Sequence, residues 1–192
     1  ACLNAYDFAP EKQYFEEFLS IQNEVFVDGG GCKGETTQLF ASQFPDYQRI
    51  DIFEPDERNI VEASALASKI PRSCFHPIGL SDIPDTLYFD SGQGSASSVS
   101  EEGDVAINVD ALDNVLLDAT FIKLDLEGWE LHALKGAEQN IRANKPKLAI
   151  GAYHRPHDFL DISDWVLGVR PDYRVALRHY TESWTESVLY FY

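Results

Sequence analysis

The sequence predicts an α/β domain, built as a mostly parallel sheet with helices on both faces and an antiparallel C-terminal hairpin at one edge. Strand-like apolar runs alternate with helical stretches along most of the chain, and that alternation builds parallel sheets through helical crossovers. The last two runs, YRVALRHY and ESVLYFY, are joined only by TESWT. That joint is too short for a crossover, so the two runs should pair antiparallel. The 192 residues, 44% hydrophobic and 12% aromatic, suit one packed domain over 1–192 and exclude disorder.

Residues 10–20 (PEKQYFEEFLS) read as a short N-terminal helix, with Tyr14, Phe15 and Phe18 on one side behind a proline in the first turn. Val25 to Asp28 form the first strand, which runs into GGGCKG and a helix from about Glu35 to Phe44. QRIDIFEP is the second strand and DERNIVEASALASKI the second helix; SCFHPIGL is the third strand. TLYFD and DVAINVDAL read as shorter strands around the polar stretch SGQGSASSVS, which is either a plain loop or a flap over a ligand. TFIKLDL is the fourth main strand and leads into one helix, WELHALKGAEQNIRAN. There Leu131, Leu134 and Ile141 keep helical spacing, and Asn144, Lys145 and Pro146 mark the stop. KLAIGAY, the helix-like HDFLDISDWVLG and the hairpin complete the chain.

Fifteen Lys plus Arg against 32 Asp plus Glu give a net charge of −17, a field that repels nucleic acid and anionic membrane surfaces. The chain contains no run of 18 apolar residues and does not open with a basic-then-apolar pattern, so neither a membrane span nor a secretory signal is expected. Cys2, Cys32 and Cys74 are odd in number and show no C-x-x-C, which suggests neither a disulfide framework nor a zinc site. A cytoplasmic location is therefore expected. Methionine is absent, and the native N-terminus is expected to have been trimmed.

Gly29, Gly31 and Gly34 satisfy G-x-G-x-x-G between a strand and a helix, and Glu54 stands twenty residues beyond the last glycine. The glycines let the backbone turn sharply against a ligand, the helix N-terminus attracts an anionic group, and Glu54 can accept from two ribose hydroxyls. NAD and S-adenosylmethionine fit this motif equally well. Charge separates them: Asp28, before the first glycine, would face a pyrophosphate unfavourably and attract an ammonium, and Asp125 and Glu127 bring further negative charge to the end of the fourth strand. The plainer readings are that Asp28 caps the following turn and Glu127 the following helix. Alternation puts Lys123, Asp125 and Glu127 on one strand face. Lys123, inside a central strand, is expected to pair with a nearby acid in a structural role.

VFVDGGGCKGETT, IFEPDERN, GLSD, VDALD, FIKLDLEGWELHALKGAE, KPKLAI, YHRP, LRHY and ESVLY together resemble, in order, the FkbM family of S-adenosylmethionine-dependent methyltransferases. The resemblance runs from about residue 14 to the end. Its most specific part is FIKLDLEG followed by E-L-x-A-L-K-G-A. It implies a class I methyltransferase, Rossmann-like fold with S-adenosylmethionine as cofactor, and methylation of a hydroxyl on a sugar-like or secondary-metabolite small molecule. Carried over by position, Asp28, Gly29, Gly30, Gly31 and Gly34 match the cofactor loop, and Thr37 the place where a hydroxyl meets the methionine carboxylate. Glu54 matches the ribose ligand, Leu80, Ser81 and Asp82 the segment beside adenine, and Asp125 the acid nearest the methyl donor. Gly31 and Cys32 stand where many members carry Ala and Asn, and Trp129 where a small residue is usual; Trp129 is expected at the acceptor mouth.

Methyl transfer to oxygen requires alignment and removal of the hydroxyl proton. His154, directly after the fifth strand with Arg155 and near His157, has the pKa range of a base and is paired here with Asp125 as the catalytic residues. His179 reads as structural, and His76 and His132 receive no function. No metal is expected; a metal-assisted alternative would recruit Asp125 with other carboxylates. The rival readings are an NAD-dependent oxidoreductase and a non-catalytic nucleotide-binding module.

Overall fold

The computed structural model describes residues 12–89 and 105–192. Its strands and helices, in chain order, are β1 (Val25–Gly29), α1 (Glu35–Gln43), β2 (Arg49–Phe53), α2 (Glu57–Ala67), β3 (Ser73–His76), β4 (Gly79–Leu80), β5 (Asp85–Phe89), β6 (Val105–Asp110), α3 (Leu112–Val115), β7 (Phe121–Leu124), α4 (Glu130–Lys135), α5 (Glu138–Asn144), β8 (Lys147–Gly151), α6 (Asp158–Val169), β9 (Val175–His179) and β10 (Ser187–Phe191). Seven strands form the main sheet in the order β3-β2-β1-β7-β8-β10-β9, and β4-β6-β5 form a smaller second sheet. The first five strands of the main sheet are parallel. β10 runs antiparallel to β8 and to β9, so the expected edge hairpin is present.

Strand alternation divides the core between the two faces of the sheet. Val27, Ile122, Leu148, Ile150, Leu189 and Phe191 pack with Leu134, Ile141, Ile162 and Val166 from the helices of one layer. Phe26, Ile50, Ile52, Phe121, Val188 and Tyr190 pack with Phe40 of α1 and with the N-terminal segment on the other.

The expected helix over 10–20 begins outside the described residues, and the part within them is not an α-helix. Lys12 to Phe15 close a single turn, in which Tyr14 takes a left-handed φ of 69°, and Glu17–Leu19 form a short 3-10 turn. The reason is tertiary. Phe15 lies against Phe26, Phe40 and Phe121, Phe18 against Tyr190 and Tyr192, and the Tyr14 backbone N–H donates to the Tyr190 hydroxyl at 3.0 Å. No single helical face points these side chains in those directions.

Three other expectations change. The run SCFHPIGL is divided at Pro77, which offers no ladder N–H, and its halves join different sheets as β3 and β4. The helix expected over 129–144 is two helices, because Gly136 lies so close to Ser81 that a Cβ there would sit 1.9 Å from the Ser81 carbonyl oxygen. The fourth main strand, β7, ends at Leu124, so Glu127 does not share a strand face with Lys123 and is placed instead by the turn that follows. The polar stretch SGQGSASSVS lies outside the described residues.

Candidate functional site

Strand order reverses between β1 and β7, and in open α/β sheets ligands bind beyond the carboxyl ends of the strands at such a point. The glycine loop leaves β1 there. Gly30 has φ 74°, and a Cβ on it would lie 2.0 Å from the Asp125 carbonyl oxygen, so only glycine brings this loop against the end of β7. The Gly30 and Gly31 N–H groups both donate to the Phe53 carbonyl at 3.0 Å, fastening the loop to the end of β2.

Asp28 is 0% exposed. One carboxylate oxygen accepts from the Thr37 hydroxyl at 2.6 Å and the other from Lys123 Nζ at 3.0 Å. Lys123 Nζ also donates to the carbonyls of Gly29 and Gly30 at 3.1 and 2.8 Å. The ion pair expected of Lys123 is therefore present, and it locks the cofactor-type loop from beneath. Burial lowers the Lys123 pKa, but the Asp28, Asp125 and Glu54 charges outweigh it and leave the ammonium above its ordinary value.

Glu54, at the end of β2, is buried and accepts from the backbone N–H groups of Cys32 and Asp56, one on each carboxylate oxygen, both at 2.8 Å. A carboxylate has about four lone-pair sites, which leaves room for two hydroxyl donors. Burial raises its pKa against the pull of these N–H donors. At the end of β4, Leu80 and Ser81 are buried, and the Ser81 hydroxyl donates to Asp82 at 3.1 Å. The Trp129 indole N–H donates to the Ser81 hydroxyl at 3.1 Å, and its ring stacks on His132 with centroids 4.1 Å apart. His132 Nδ1 in turn lies 3.4 Å from Asp82. Trp129 and His132 thus belong to the Ser81–Asp82 segment, and the Arg155 guanidinium also reaches the Trp129 ring at 5.8 Å.

Asp125 and His154, from the ends of β7 and β8, converge as the sequence suggested. Asp125 accepts from the Tyr14 hydroxyl at 2.7 Å and the Tyr153 hydroxyl at 3.0 Å. Burial, followed by the Asp125 charge, raises both tyrosines, so both remain donors. The His154 side chain is 9% exposed. Its Nε2 lies 3.5 Å from an Asp125 oxygen and 3.5 Å from a Glu127 oxygen, and its Nδ1 lies 3.0 Å from Glu130 Oε1. The Glu130 approach is off the N–H direction: among the described residues neither ring nitrogen has a hydrogen-bond partner of good geometry. Burial pulls the His154 pKa down, but contact with Glu130 and the three surrounding carboxylates prevails and raises it.

Glu127 takes a left-handed φ of 53°, a strained conformation that aims its side chain back at the imidazole. Burial raises its carboxyl pKa, against the attraction of His154.

Sequence reasoning missed Tyr14, Tyr153 and Glu130 as parts of this cluster. Glu130 is buried, and its Oε1 accepts from the Leu126 and Gly128 N–H groups, closing the turn after β7. An acid in the first turn of a helix was the available signal. Nothing local couples Tyr14 to a residue 111 positions away. His157 is exposed at the start of α6, His179 lies 2.9 Å from the Ser187 hydroxyl, and His76 reaches Asp51 at 3.0 Å and stacks on Phe53.

Beside His154 lies a cleft of about 260 Å³ lined by Tyr153, His154, Arg155, Pro156, Phe159 and Trp184. Trp184 is 77% exposed. A larger cleft of about 430 Å³ is lined by Val25, Arg49, Ser73 and Asp118, at the amino ends of the strands and away from these groups. Among the described residues no helix is long and apolar enough to cross a membrane.

Residues 28–177 match the family model described as the methyltransferase FkbM domain. A crystal structure of methyltransferase FkbM from Methylobacillus flagellatus KT is similar to this chain with a TM-score of 0.79 and 32% identity, over 95% of this chain and 47% of that one. The present chain thus spans about half of that protein's length. Fibrillarin from Aeropyrum pernix, with natively bound S-adenosyl-L-methionine, matches at TM-score 0.58 and 9% identity over 94% of this chain and 71% of its own. A methyltransferase from Geobacter sulfurreducens matches at TM-score 0.58 and 15% identity over 97% and 79%. None of the curated proteins matches at a significant level. The fold is that of class I S-adenosylmethionine-dependent methyltransferases, and this chain belongs to the FkbM methyltransferase family.

Proposed function

We propose that this chain transfers a methyl group from S-adenosylmethionine to a hydroxyl oxygen of a small sugar-like or secondary-metabolite acceptor. The observation that carries the reading is the position of the Asp125–His154 pair, between the glycine loop and the aromatic-walled cleft beside Tyr153, Phe159 and Trp184. Glu54 holds the two ribose hydroxyls of the donor on its remaining lone pairs, and Leu80, Ser81 and Asp82 flank its adenine. Gly29, Gly30, Gly31 and Gly34 give the donor's amino-acid end its close approach. Asp28 and Thr37 act from behind the loop, where their hydrogen bond and the Lys123 ion pair fix its shape.

The reaction is an in-line displacement. The acceptor oxygen attacks the methyl carbon, the carbon–sulfur bond breaks with its electron pair going to sulfur, and the hydroxyl proton leaves beside His154. The carboxylates around the imidazole stabilise the positive charge that appears there. Sugar rings present C–H faces that stack on exposed aromatic rings, which suits Trp184, and the −17 charge favours an uncharged or cationic acceptor over nucleic acid. The exposed free thiols of Cys32 and Cys74 suit the reducing cytoplasm.

Calorimetry should show saturable binding of S-adenosylhomocysteine and none of NAD. Donor turnover against a panel of glycosides and polyketide alcohols should give an O-methyl product by mass spectrometry. Equal binding of NAD, or methyl transfer only to nitrogen or to RNA, would reject the reading.

A further inference from the structure

We propose that Tyr14 is a positioning residue for the methyl donor: its hydroxyl, brought in by the N-terminal segment, fixes the Asp125 carboxylate so that its charge faces the positive sulfur of S-adenosylmethionine. This role rests on the donor reading just given and holds for any acceptor.

Tyr14 is only 6% exposed and keeps a φ of 69°, a left-handed backbone that bulky residues rarely adopt. Its surroundings enforce that conformation. The Tyr14 N–H donates to the Tyr190 hydroxyl at 3.0 Å, the Phe15 ring is lodged among Phe26, Phe40 and Phe121, and Glu16 accepts from the Tyr180 hydroxyl at 2.7 Å. Packing alone would be served by phenylalanine at position 14. The phenol adds a 2.7 Å hydrogen bond to Asp125 Oδ2, and strain enforced in this way concentrates where a functional group must be held.

That bond completes the environment of Asp125. Tyr14 holds Oδ2 and Tyr153 holds Oδ1, so the carboxylate cannot turn freely, and both phenols stay protonated. Neither donor carries a charge, so neither cancels that of the carboxylate. The buried ammonium of Lys123 gives its three protons to Asp28 and to the Gly29 and Gly30 carbonyls, and its Nζ lies 5.3 Å from the centre of the Tyr14 ring. Among the described residues only His154 comes within ion-pair distance of Asp125, at 3.5 Å, longer than a direct hydrogen bond. The glycine loop abuts the Asp125 backbone at Gly30, and a Cβ on Gly151 of β8 would lie 3.0 Å from Asp125 Oδ1. An anion with much of its charge uncompensated thus stands at the strand reversal, where the donor reading puts the amino-acid end of the ligand.

The sulfonium charge disappears when the methyl group leaves, because the electron pair of the broken carbon–sulfur bond returns to sulfur. A carboxylate facing that sulfur attracts the donor and not the spent thioether. It therefore holds the sulfur and its methyl group in line for attack and favours exchange of product for fresh donor. His154 remains the proton acceptor.

The test compares two ligands of nearly one shape by calorimetry: neutral S-adenosylhomocysteine, and sinefungin, whose amine-bearing carbon puts a positive charge where the methylated sulfur stands. In Tyr14→Phe the affinity for sinefungin should fall about three- to tenfold, the size of one net hydrogen bond, while that for S-adenosylhomocysteine is unchanged. Asp125→Asn should lose the same preference to a greater extent, and adding Tyr14→Phe to it should change nothing further. Tyr180→Phe removes hydrogen bonds to Glu16 and Tyr190 without touching Asp125, so it should lower stability and leave the ratio of the two affinities intact.

Equal weakening of both ligands in Tyr14→Phe, or no change in either, would make Tyr14 structural and overturn the proposal. A Tyr14→Phe effect that persists beside Asp125→Asn would overturn it too. Should Tyr14→Phe fail to fold, a preference unaltered in Asp125→Asn or in Tyr153→Phe overturns it, and a preference lost in both supports it. An unmodified chain that binds neither ligand overturns the donor reading itself, which every other outcome leaves standing.

Discussion

At the scale of single residues, the most consequential buried contact is the pair Lys123–Asp28, with Nζ 3.0 Å from the carboxylate and both side chains almost completely out of solvent. Removing one member of such a pair leaves an uncompensated buried charge, a loss of about 3–5 kcal/mol. Lys123→Met should lower the unfolding free energy by that amount in urea titrations and also weaken S-adenosylhomocysteine, because Lys123 anchors the Gly29 and Gly30 carbonyls. Adding Asp28→Asn to Lys123→Met should recover part of the loss. Equal stability of the single and double variants would show that the charge pair is not the source. Because the Lys123 pKa is raised above its ordinary 10.5, the pair's stabilisation is fully present below that value and is lost only as pH rises through the higher folded-state value. Glu54 behaves oppositely as a ligand-binding group. Burial raises its pKa above 4.5, so on acidification it takes up a proton earlier than an ordinary carboxylate does, and the charged acceptor for ribose hydroxyls is lost. Affinity for S-adenosylhomocysteine should fall as pH drops, starting above 4.5, and Glu54→Gln should bind more weakly, with that part of the pH dependence gone. A Glu54→Gln profile parallel to that of the unmodified chain would assign the titration to another group.

At the scale of elements, what was legible in the sequence was contiguous. The strand, glycine loop and helix over 25–44 and the acid ending β2 carry their geometry in local spacing, and TESWT is too short for anything but a hairpin. What was not legible depends on partners far along the chain. The N-terminal segment gives up helix to place Phe15 against Phe121 and Tyr14 against Asp125, contacts that no local periodicity encodes. The helix after β7 shows the same override: Leu131, Leu134 and Ile141 keep a helical period, yet the chain breaks at Gly136 because that residue abuts the Ser81 backbone. A pair of substitutions separates packing from propensity. Gly136→Ala places a Cβ 1.9 Å from the Ser81 carbonyl, so backbone must move, and a cost of about 1–3 kcal/mol is expected together with weaker S-adenosylhomocysteine binding through the displaced Ser81 and Trp129. Gly168→Ala, in α6 with nothing within 4 Å of the added Cβ, should instead stabilise by about 0.4–1 kcal/mol through the unfolded chain. If both substitutions stabilise, the break at Gly136 is not enforced by its contact with Ser81.

At the scale of the whole molecule, the charge of −17 acts on both states but not equally. Folding gathers the excess acids into a small volume, whereas the unfolded chain spreads them, so self-repulsion opposes the compact state. Part of it falls at the carboxyl edge of the sheet, where Asp125, Glu127 and Glu130 crowd around His154, and the Asp125 and Glu54 charges also act on Lys123. Salt should therefore stabilise this protein. The screening length falls from about 30 Å at 0.01 M to about 8 Å at 0.15 M, which silences repulsion across the molecule but leaves the buried Lys123–Asp28 contact at 3.0 Å almost untouched. Raising NaCl from 0.01 to 0.15 M is expected to raise Tm by several degrees, since ~1 kcal/mol corresponds to roughly 2–4 °C in a chain of this size. Sodium and potassium chloride should act equally at equal ionic strength. A Tm that falls as NaCl is added would mean that attractive surface pairs such as Arg49–Asp118 and Arg142–Glu138 outweigh the excess of acids, and would remove global repulsion from the account of this molecule's stability.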